Sequence, residues 1–585
     1  MNLWRPLLGL AVIFAPASLA GAAAQEAPGA AVPWVTYEAE QAKTNGTRLG
    51  PDYTGRTPAR EASGRRCVRL AETGQFIEFT AKADAQGMVV RYCIPDSADG
   101  RGIDATLGLY INGSLRQKLA MSSRYCYLYG NYPFSNDPSS GPARHFWDEL
   151  RLMPGAIHRG DVIRLQKDAD DAAGQYLIDF VDLEQVPAPL ERPAGSISVT
   201  DFGAKADKTS DSHAAFAAAI AAGKARHQVV WIPSGEYVVK GPLQVSDVTL
   251  RGAGMWYSML VGDDNYAPAN RVAVYGDGSN ITLADFSIRG KLNYRNDSEP
   301  NDGLGGSFGT GSSLRNLWVE QTKTGAWFVN SDGLLVEGCR FRDTIADGIN
   351  LCLGMRNTTV RNCTSRGTGD DCFAMWPATY MKSVYAHGGN RFVHCTGQLP
   401  FLAQAFSIYG GDANAVEDCI ATDIPYGAGL FASTTFPSQS GFGGTTAYRN
   451  VRITRAGDRD GAVGTFANRL DLPGLSFENI GITDSPFDAI KFTSVNGRAL
   501  REARFDGIKI VNTGLAGAGY GIAESRDAVG SATISNVTIA GAKTGSFQKN
   551  APACHLIRGV GISGLEESEQ TRADDSAARG AAVAP

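Results

Sequence analysis

The chain is 585 residues long, several times the ~150 residues of an average domain, so more than one folded unit is expected. Its 55 Lys and Arg against 60 Asp and Glu leave a net charge of −5 with no single-sign block, which argues against a nucleic-acid surface and a polybasic membrane anchor. Glycine is in excess, 69 residues without a Gly-X-Y period, which excludes collagen and suits a chain of many tight turns, all-β or solenoidal.

Residues 1–24 read as a secretory signal peptide: Arg5 supplies a positive charge, Leu7 to Phe14 an apolar run, and residues 20–24 (AGAAA) small residues for cleavage before Gln25. The run is too short to span a membrane, and no later segment reaches ~18 apolar residues. A soluble secreted protein, extracellular or periplasmic, is therefore expected. Residues 33–186 alternate apolar and polar in short stretches such as QFIEFTA (75–81), GMVVRYCI (87–94) and TLGLYING (106–113), which predicts a β-sandwich. A proline-bearing linker, 187–196, follows.

ISVTDFGAKADKTSDSHAAFAAAIAAGKA (197–225) reads as a strand, a turn and an Ala-rich amphipathic helix, then VVWIPSGEYVV (229–239) as two strands about a Pro-Ser-Gly turn. A helix here would close the open end of a solenoid. From SDVTL (246–250) onward a phrase recurs in which Asn, Asp or Gly precedes an alternating apolar stretch: ADFSI (284–288), RNLWV (315–319), EGCRF (337–341), RNCTS (361–365), EDCIA (417–421), RNVRI (449–453), ENIGI (478–482), DGIKI (506–510) and SNVTI (535–539). The shortest steps are 22 and 24, and the longest, 56, divides at VHCTG (393–397) into 32 and 24. That period is a β-solenoid coil lengthened by variable loops. The predicted fold is all-β, a right-handed parallel β-helix over 197–563 behind the sandwich, with a disordered small-residue tail over 564–585. Four of the ten cysteines, Cys339, Cys363, Cys395 and Cys419, occupy one place in the repeat, spaced 24, 32 and 24. They predict an interior stack rather than disulfides, and no CxxC or paired-His spacing predicts a metal site.

ADGINLC (346–352) and GTGDDCFAMW (367–376) form the densest polar cluster in an apolar setting. Asp347 lies eight residues after Cys339 and Asp371 eight after Cys363, which predicts that they stack on adjacent coils, ~5 Å apart, with Asp370 aimed by a turn into the same cleft. Three crowded carboxylates cannot all ionise cheaply, and the resulting split suits a general acid and a general base. Aspartates at solenoid turns are often structural, but an Asp-Asp pair above an equivalent Asp is hard to explain by turns alone. By the same ruler Ala403 and Gly427 take the aspartate position on the next coils. Asn350, Trp376, Gln404, Tyr409 and Phe431 are then the candidate sugar-binding residues, with Phe406 and Phe431 also able to face the core.

DGIN, TGDDCFAMW, IYGG and the upstream GAGMWYS (residues 252–258) together resemble glycoside hydrolase family 87, the bacterial α-1,3-glucanases and mycodextranase. The likeness extends over the β-helix and to EASGR (61–65) in the sandwich; Cys372 and Phe373 follow the pair where smaller residues are expected. The resemblance implies an inverting endo-hydrolase in which Asp370 is the proton donor and Asp347 and Asp371 hold the water, with 6.5–9.5 Å between acid and base. The sandwich's YEAEQA (37–42) and IDFVDLE (178–184) resemble carbohydrate-binding modules, which can hold a structural calcium where those ends meet; a sandwich that only docks on the solenoid fits these residues as well. No other cofactor is expected. Polygalacturonases share the aspartate pattern but add Gly-His-Gly and Arg-Ile-Lys motifs; neither is present, and HGG (387–389) is the nearest string. With Lys382 the one cation expected near the aspartates, the expected partner is a neutral α-glucan acted on by a monomer. A polygalacturonase-like or other β-helix polysaccharide-degrading enzyme is the alternative, and a non-catalytic polysaccharide-binding solenoid a second.

Overall fold

A computed structural model describes residues 27–263, 267–300, 302–458 and 460–564 with the backbone of 567–568. The expected signal peptide and nearly all of the expected tail lie outside them.

The first unit is a sandwich of a six-stranded and a five-stranded antiparallel sheet. Val68, Val90, Leu107, Leu109, Ile163 and Leu165 alternate inward along their strands and fill the space between the sheets. Strand β1 (Trp34–Glu38) pairs with β2 (Tyr176–Glu184) from Trp34↔Glu184 to Glu38↔Phe180, so the two ends of the unit meet. At that seam Asp179 accepts from Arg91 and from the Ser63 N–H, while Glu38 and Glu40 each bury one oxygen that has no hydrogen-bond partner. Burial, with Asp179 and Glu40 nearby, pushes Glu38 up to about 9. In the second acidic cluster, Asp168, Asp170 and Asp171, Lys118 Nζ already lies 3.0, 2.6 and 2.9 Å from the three carboxylates, so an ammonium stands where a cation would.

Helix α1 (His213–Arg226) buries Phe216, Ala219, Ile220 and Gly223, the i, i+3, i+4, i+7 stripe of its Ala-rich sequence, over the first coil. Beyond it the chain winds into a parallel β-solenoid whose coils build one 23-strand path and one 13-stranded sheet. The second residue of each recurring phrase, from Asp247 and Asp285 through Asn316, Gly338, Asn362, His394 and Asp418 to Asn450, Asn479, Gly507 and Asn536, has φ between +48° and +70°. These residues turn the chain between consecutive strands of a coil, a left-handed conformation that Asn, Asp and Gly tolerate best. This is the physical origin of the repeat. The phrase cysteines are buried and free, and they stack as expected: the Cys339 N–H points at Cys363 Sγ (3.3 Å) and the Cys395 N–H at Cys419 Sγ (3.4 Å).

A buried ionic seam joins the two units. Arg340 binds Glu184 through two bonds of 2.7 and 2.8 Å, and Arg366 binds Glu149 at 2.6 and 2.8 Å and Asp182 at 3.0 Å. Two motifs of the family resemblance work here rather than in chemistry. Trp256 of GAGMWYS donates to Glu184 Oε1 (3.0 Å), and Arg65 of EASGR reaches the carbonyls of Ile424 and Arg455.

Candidate active site

Strands β3 (Ile349–Leu351), β4 (Phe373–Met375), β5 (Phe406–Ile408) and β6 (Leu430–Ser433) are successive rungs of the 13-stranded sheet. Ile349, Phe373, Phe406 and Leu430 are in register and wholly buried in the solenoid core. The alternating positions Asn350, Ala374, Ser407 and Phe431 therefore face outward, in a column that includes Trp327 one coil earlier. Cys372 and Phe373 point into the core, Phe373 stacked on Phe406 at 4.9 Å, so the departure from the expected small residues does not shape the outer wall.

Asp347 and Asp371 lie two residues before β3 and β4, which places them one above the other. Asp347 Oδ1 accepts the Asp371 N–H (3.1 Å) and Asp347 Oδ2 accepts from Asn350 Nδ2 (3.0 Å). Asp371 Oδ1 accepts the Gln404 N–H (3.0 Å) and Oδ2 the Tyr409 hydroxyl (2.7 Å). The Gln404 side-chain oxygen in turn accepts the Ala428 N–H. Gln404 and Ala428, not Ala403 and Gly427, thus continue the aspartate column, because the turns before β5 and β6 each contain one residue more than the turn before β4. Asp370 projects from the turn between them with 26% of its side chain exposed, whereas Asp347 and Asp371 are 8% and 3% exposed. One oxygen of each of the three lies within 4.8 Å of the others. Burial and the neighbouring Asp370 and Asp371 charges hold Asp347 well above the ordinary carboxylate range, and burial with Asp370 pushes Asp371 up to about 7.

The remaining candidates divide. Asn350 keeps Oδ1 buried without a partner, and Trp376 does the same with Nε1 at the centre of an aromatic group formed with Trp327, Tyr380 and Phe436. Tyr409 is buried and its hydroxyl donates to Asp371, while the Gln404 side-chain oxygen accepts from the next coil. Phe431 faces outward but is covered, 6% exposed, against Tyr409. The sequence reading missed a cation. Arg295 donates from Nη2 to Asp370 Oδ2 (2.8 Å), while Lys382 is exposed and in no ion pair among the described residues. Arg295 comes from a loop with no repeat signal. Trp327 could have been found, since it precedes Asn350 by one coil step.

Residues 31–186 match the family model for the α-1,3-glucanase catalytic domain D1, and residues 208–557 the model for catalytic domain D2. The chain belongs to glycoside hydrolase family 87, the α-1,3-glucanases. This family 87 chain is similar to the crystal structure of the Agl-KA catalytic domain (TM-score 0.84, 26% identity, covering 92% of this chain and 100% of that one). It is also similar to the catalytic unit of the thermostable family 87 α-1,3-glucanase of Streptomyces thermodiastaticus strain HF3-3 (TM-score 0.81, 33% identity, 92% and 98% covered). A third similar structure is a family 87 α-1,3-glucanase catalytic domain in complex with nigerose (TM-score 0.80, 25% identity, 92% and 100% covered). Among curated proteins, the pre-neck appendage protein of Bacillus phage phi29 is 25% identical over 212 residues, 34% of this family 87 chain; the match spans 24% of the phage protein's length. Among the described residues no helix is long and apolar enough to cross a membrane.

Proposed function

We propose that the protein is an exported, monomeric α-1,3-glucanase that cleaves the glycosidic bond of a neutral α-glucan with inversion. The observation that carries this reading is the meeting of Asp347, Asp370 and Asp371 within 4.8 Å on the outer wall of a family 87 fold. Asp370 is the proton donor: of the three it alone is open to the cleft, with one oxygen held by Arg295 and the other without a hydrogen-bond partner among the described residues. Its proton passes to the glycosidic oxygen as the bond from that oxygen to C1 breaks. A water held by Asp347 and Asp371 attacks C1 from the opposite face, and its proton passes to that pair.

Inversion is favoured because both oxygens of Asp347 and both of Asp371 already accept hydrogen bonds, which suits orienting a water better than attacking carbon. A neutral substrate is favoured because Arg295, the cation beside the acids, is committed to Asp370 and Asp297. Neither chemical step calls on a cofactor, so dialysis against EDTA is expected to leave turnover unchanged. Export rests on the signal-like residues 1–24, and N-terminal sequencing of the secreted protein beginning at Gln25 would support it. Sedimentation at a single-chain mass would support the monomer.

The deciding experiment is ¹H NMR of the first sugar released from α-1,3-glucan. The β-anomer is expected; the α-anomer would overturn inversion. Turnover of polygalacturonate but not of α-1,3-glucan would overturn the substrate, and binding without turnover, unaltered by Asp370→Asn, would favour a binding solenoid.

A further inference from the structure

The sandwich reaches the aspartates through one arginine. Phe134, on the sandwich segment after strand Leu128–Tyr129, is buried against Leu292, Ile345 and Phe401 of the solenoid, and its carbonyl accepts the Arg295 N–H (3.0 Å). Next to it, the Tyr132 ring lies under the Arg295 guanidinium, 4.7 Å from its centre, and the Tyr132 hydroxyl bonds Asp297. Each guanidinium nitrogen donates: Nε to Asp297 Oδ1 (2.9 Å), Nη1 to the Gly369 carbonyl (3.1 Å) and Nη2 to Asp370 Oδ2 (2.8 Å). Arg295 is itself 9% exposed. Asp297 already neutralises it, so fold stability alone does not call for the second carboxylate. The fork instead grips both the backbone and the side chain of the turn that presents Asp370.

We propose that Arg295, seated by Tyr132 and Phe134 of the sandwich, is a positioning residue for glycosidic cleavage: it fixes the Asp370 carboxylate at the cleft and stabilises the charge left there when the proton departs. The inference rests on the role of Asp370 given above. A preorganised donor aimed at charge that develops during reaction commonly contributes more than a surface ion pair, because it need not reorganise. Besides Asp370, the charged or titratable groups facing the fork are Asp297 and Tyr132; Asp347 and Asp371 lie beyond Asp370, and Lys323 is tied to the Glu299 carbonyl (2.6 Å). Losing the cation makes every negative charge in the carboxylate trio costlier, so both limbs of a bell-shaped pH profile move to higher pH.

The test uses the full chain with Arg295→Gln, Arg295→Lys and Tyr132→Ala, reading kcat and KM on α-1,3-glucan across pH, together with Tm. We expect Arg295→Gln to lower kcat about 10²-fold, the order of one lost transition-state donor, with KM little changed and the profile displaced upward. Arg295→Lys should restore part of the loss, and Tyr132→Ala, which keeps the cation but removes its seat, should fall between. A normal kcat and pH profile in Arg295→Gln, with only Tm reduced, would overturn the proposal. Should Arg295→Gln fail to fold, wild-type profiles in both other variants would overturn it. An inactive wild type on α-1,3-glucan would instead overturn the functional reading. NMR titration of ¹³C-labelled aspartate carboxyls, which needs no substrate, would then decide on Arg295: curves unchanged by its loss would sink the inference.

Discussion

Asp347 Oδ1 accepts the backbone N–H of Asp371 at 3.1 Å, so one carboxylate of the site fixes the backbone position of the next. The same relation recurs one coil further, where Asp371 Oδ1 accepts the Gln404 N–H. The Asp347–Asp371 pair is thus built into the ladder that stacks the coils, and its orientation is supplied by folding. That preorganisation has a cost in stability, because two carboxylates are buried side by side.

If Asp370 donates the proton, its loss matters most where the leaving group is poor. Asp370→Asn should slow cleavage of α-1,3-glucan by about 10²–10⁴, the usual worth of general acid–base catalysis, and cost much less on a glycoside with an activated aryl leaving group. Asp347→Asn and Asp371→Asn remove water activation, which both substrates need, so their losses should be similar on the two. Initial rates of the three variants on both substrates check this. An equal leaving-group response in all three would reassign the roles.

The cost of the buried pair gives a pH-dependent prediction. Asp371 is raised from 3.8 to about 7, mainly by burial, so its folded state favours the protonated form. A group raised in this way contributes stability that is present below the unfolded value and lost as pH rises through the folded one. Asp371→Asn removes that titration. Its Tm should match wild type near pH 4 and exceed it by about 1 °C at pH 8, the shift expected for ~1 kcal/mol in a chain of this length, while activity is lost. Thermal scans at the two pH values test it; a Tm below wild type at pH 8 would show that the carboxylate is not strained.

Tyr409 acts on the same group from the other side. Its hydroxyl donates 2.7 Å to Asp371 Oδ2 and is among the influences that pull Asp371 down against burial. Tyr409→Phe should therefore raise the acid limb of the pH–rate profile and lower kcat about 10-fold or somewhat more, the range of a hydrogen bond to a charged group. KM should change little, because the ring is buried in the wall rather than laid against sugar. A rise in KM alone would restore Tyr409 to the sugar-binding role suggested by its sequence.

What was legible in the sequence is what repeats. The turn residues Asn316, Asn362 and Asn450 announce the coil because a left-handed corner admits few residue types, and the Cys339–Cys363 spacing measures one coil length and so superposes Asp347 on Asp371. The ruler slips by one at Gln404, where the turn gains a residue that nothing in the local pattern marks. Arg295 and Tyr132 were beyond it altogether. They meet through a contact between units 163 residues apart in the chain, formed by an irregular loop and a sandwich segment, and periodicity carries no information about such contacts.

The ionic seam predicts that the sandwich is not a detachable binding module. Arg340 binds Glu184 bidentately, and its guanidinium lies between Trp34 (4.8 Å) and Trp318 (4.9 Å), with the two charged side chains 9% and 5% exposed. Removing one partner of such a pair strands the other charge, so Arg340→Leu should cost about 3–5 kcal/mol in denaturant unfolding, and adding Glu184→Gln should recover much of it. Deleting the sandwich is more severe. A chain beginning at residue 197 would expose Arg340, Arg366 and Trp318 together and would remove the Tyr132–Phe134 seat of Arg295. It is expected to be insoluble or, if recovered, to lack turnover even on short oligosaccharides that need no anchoring to a polymer. A soluble truncation retaining full kcat on those oligosaccharides would show that the sandwich only docks.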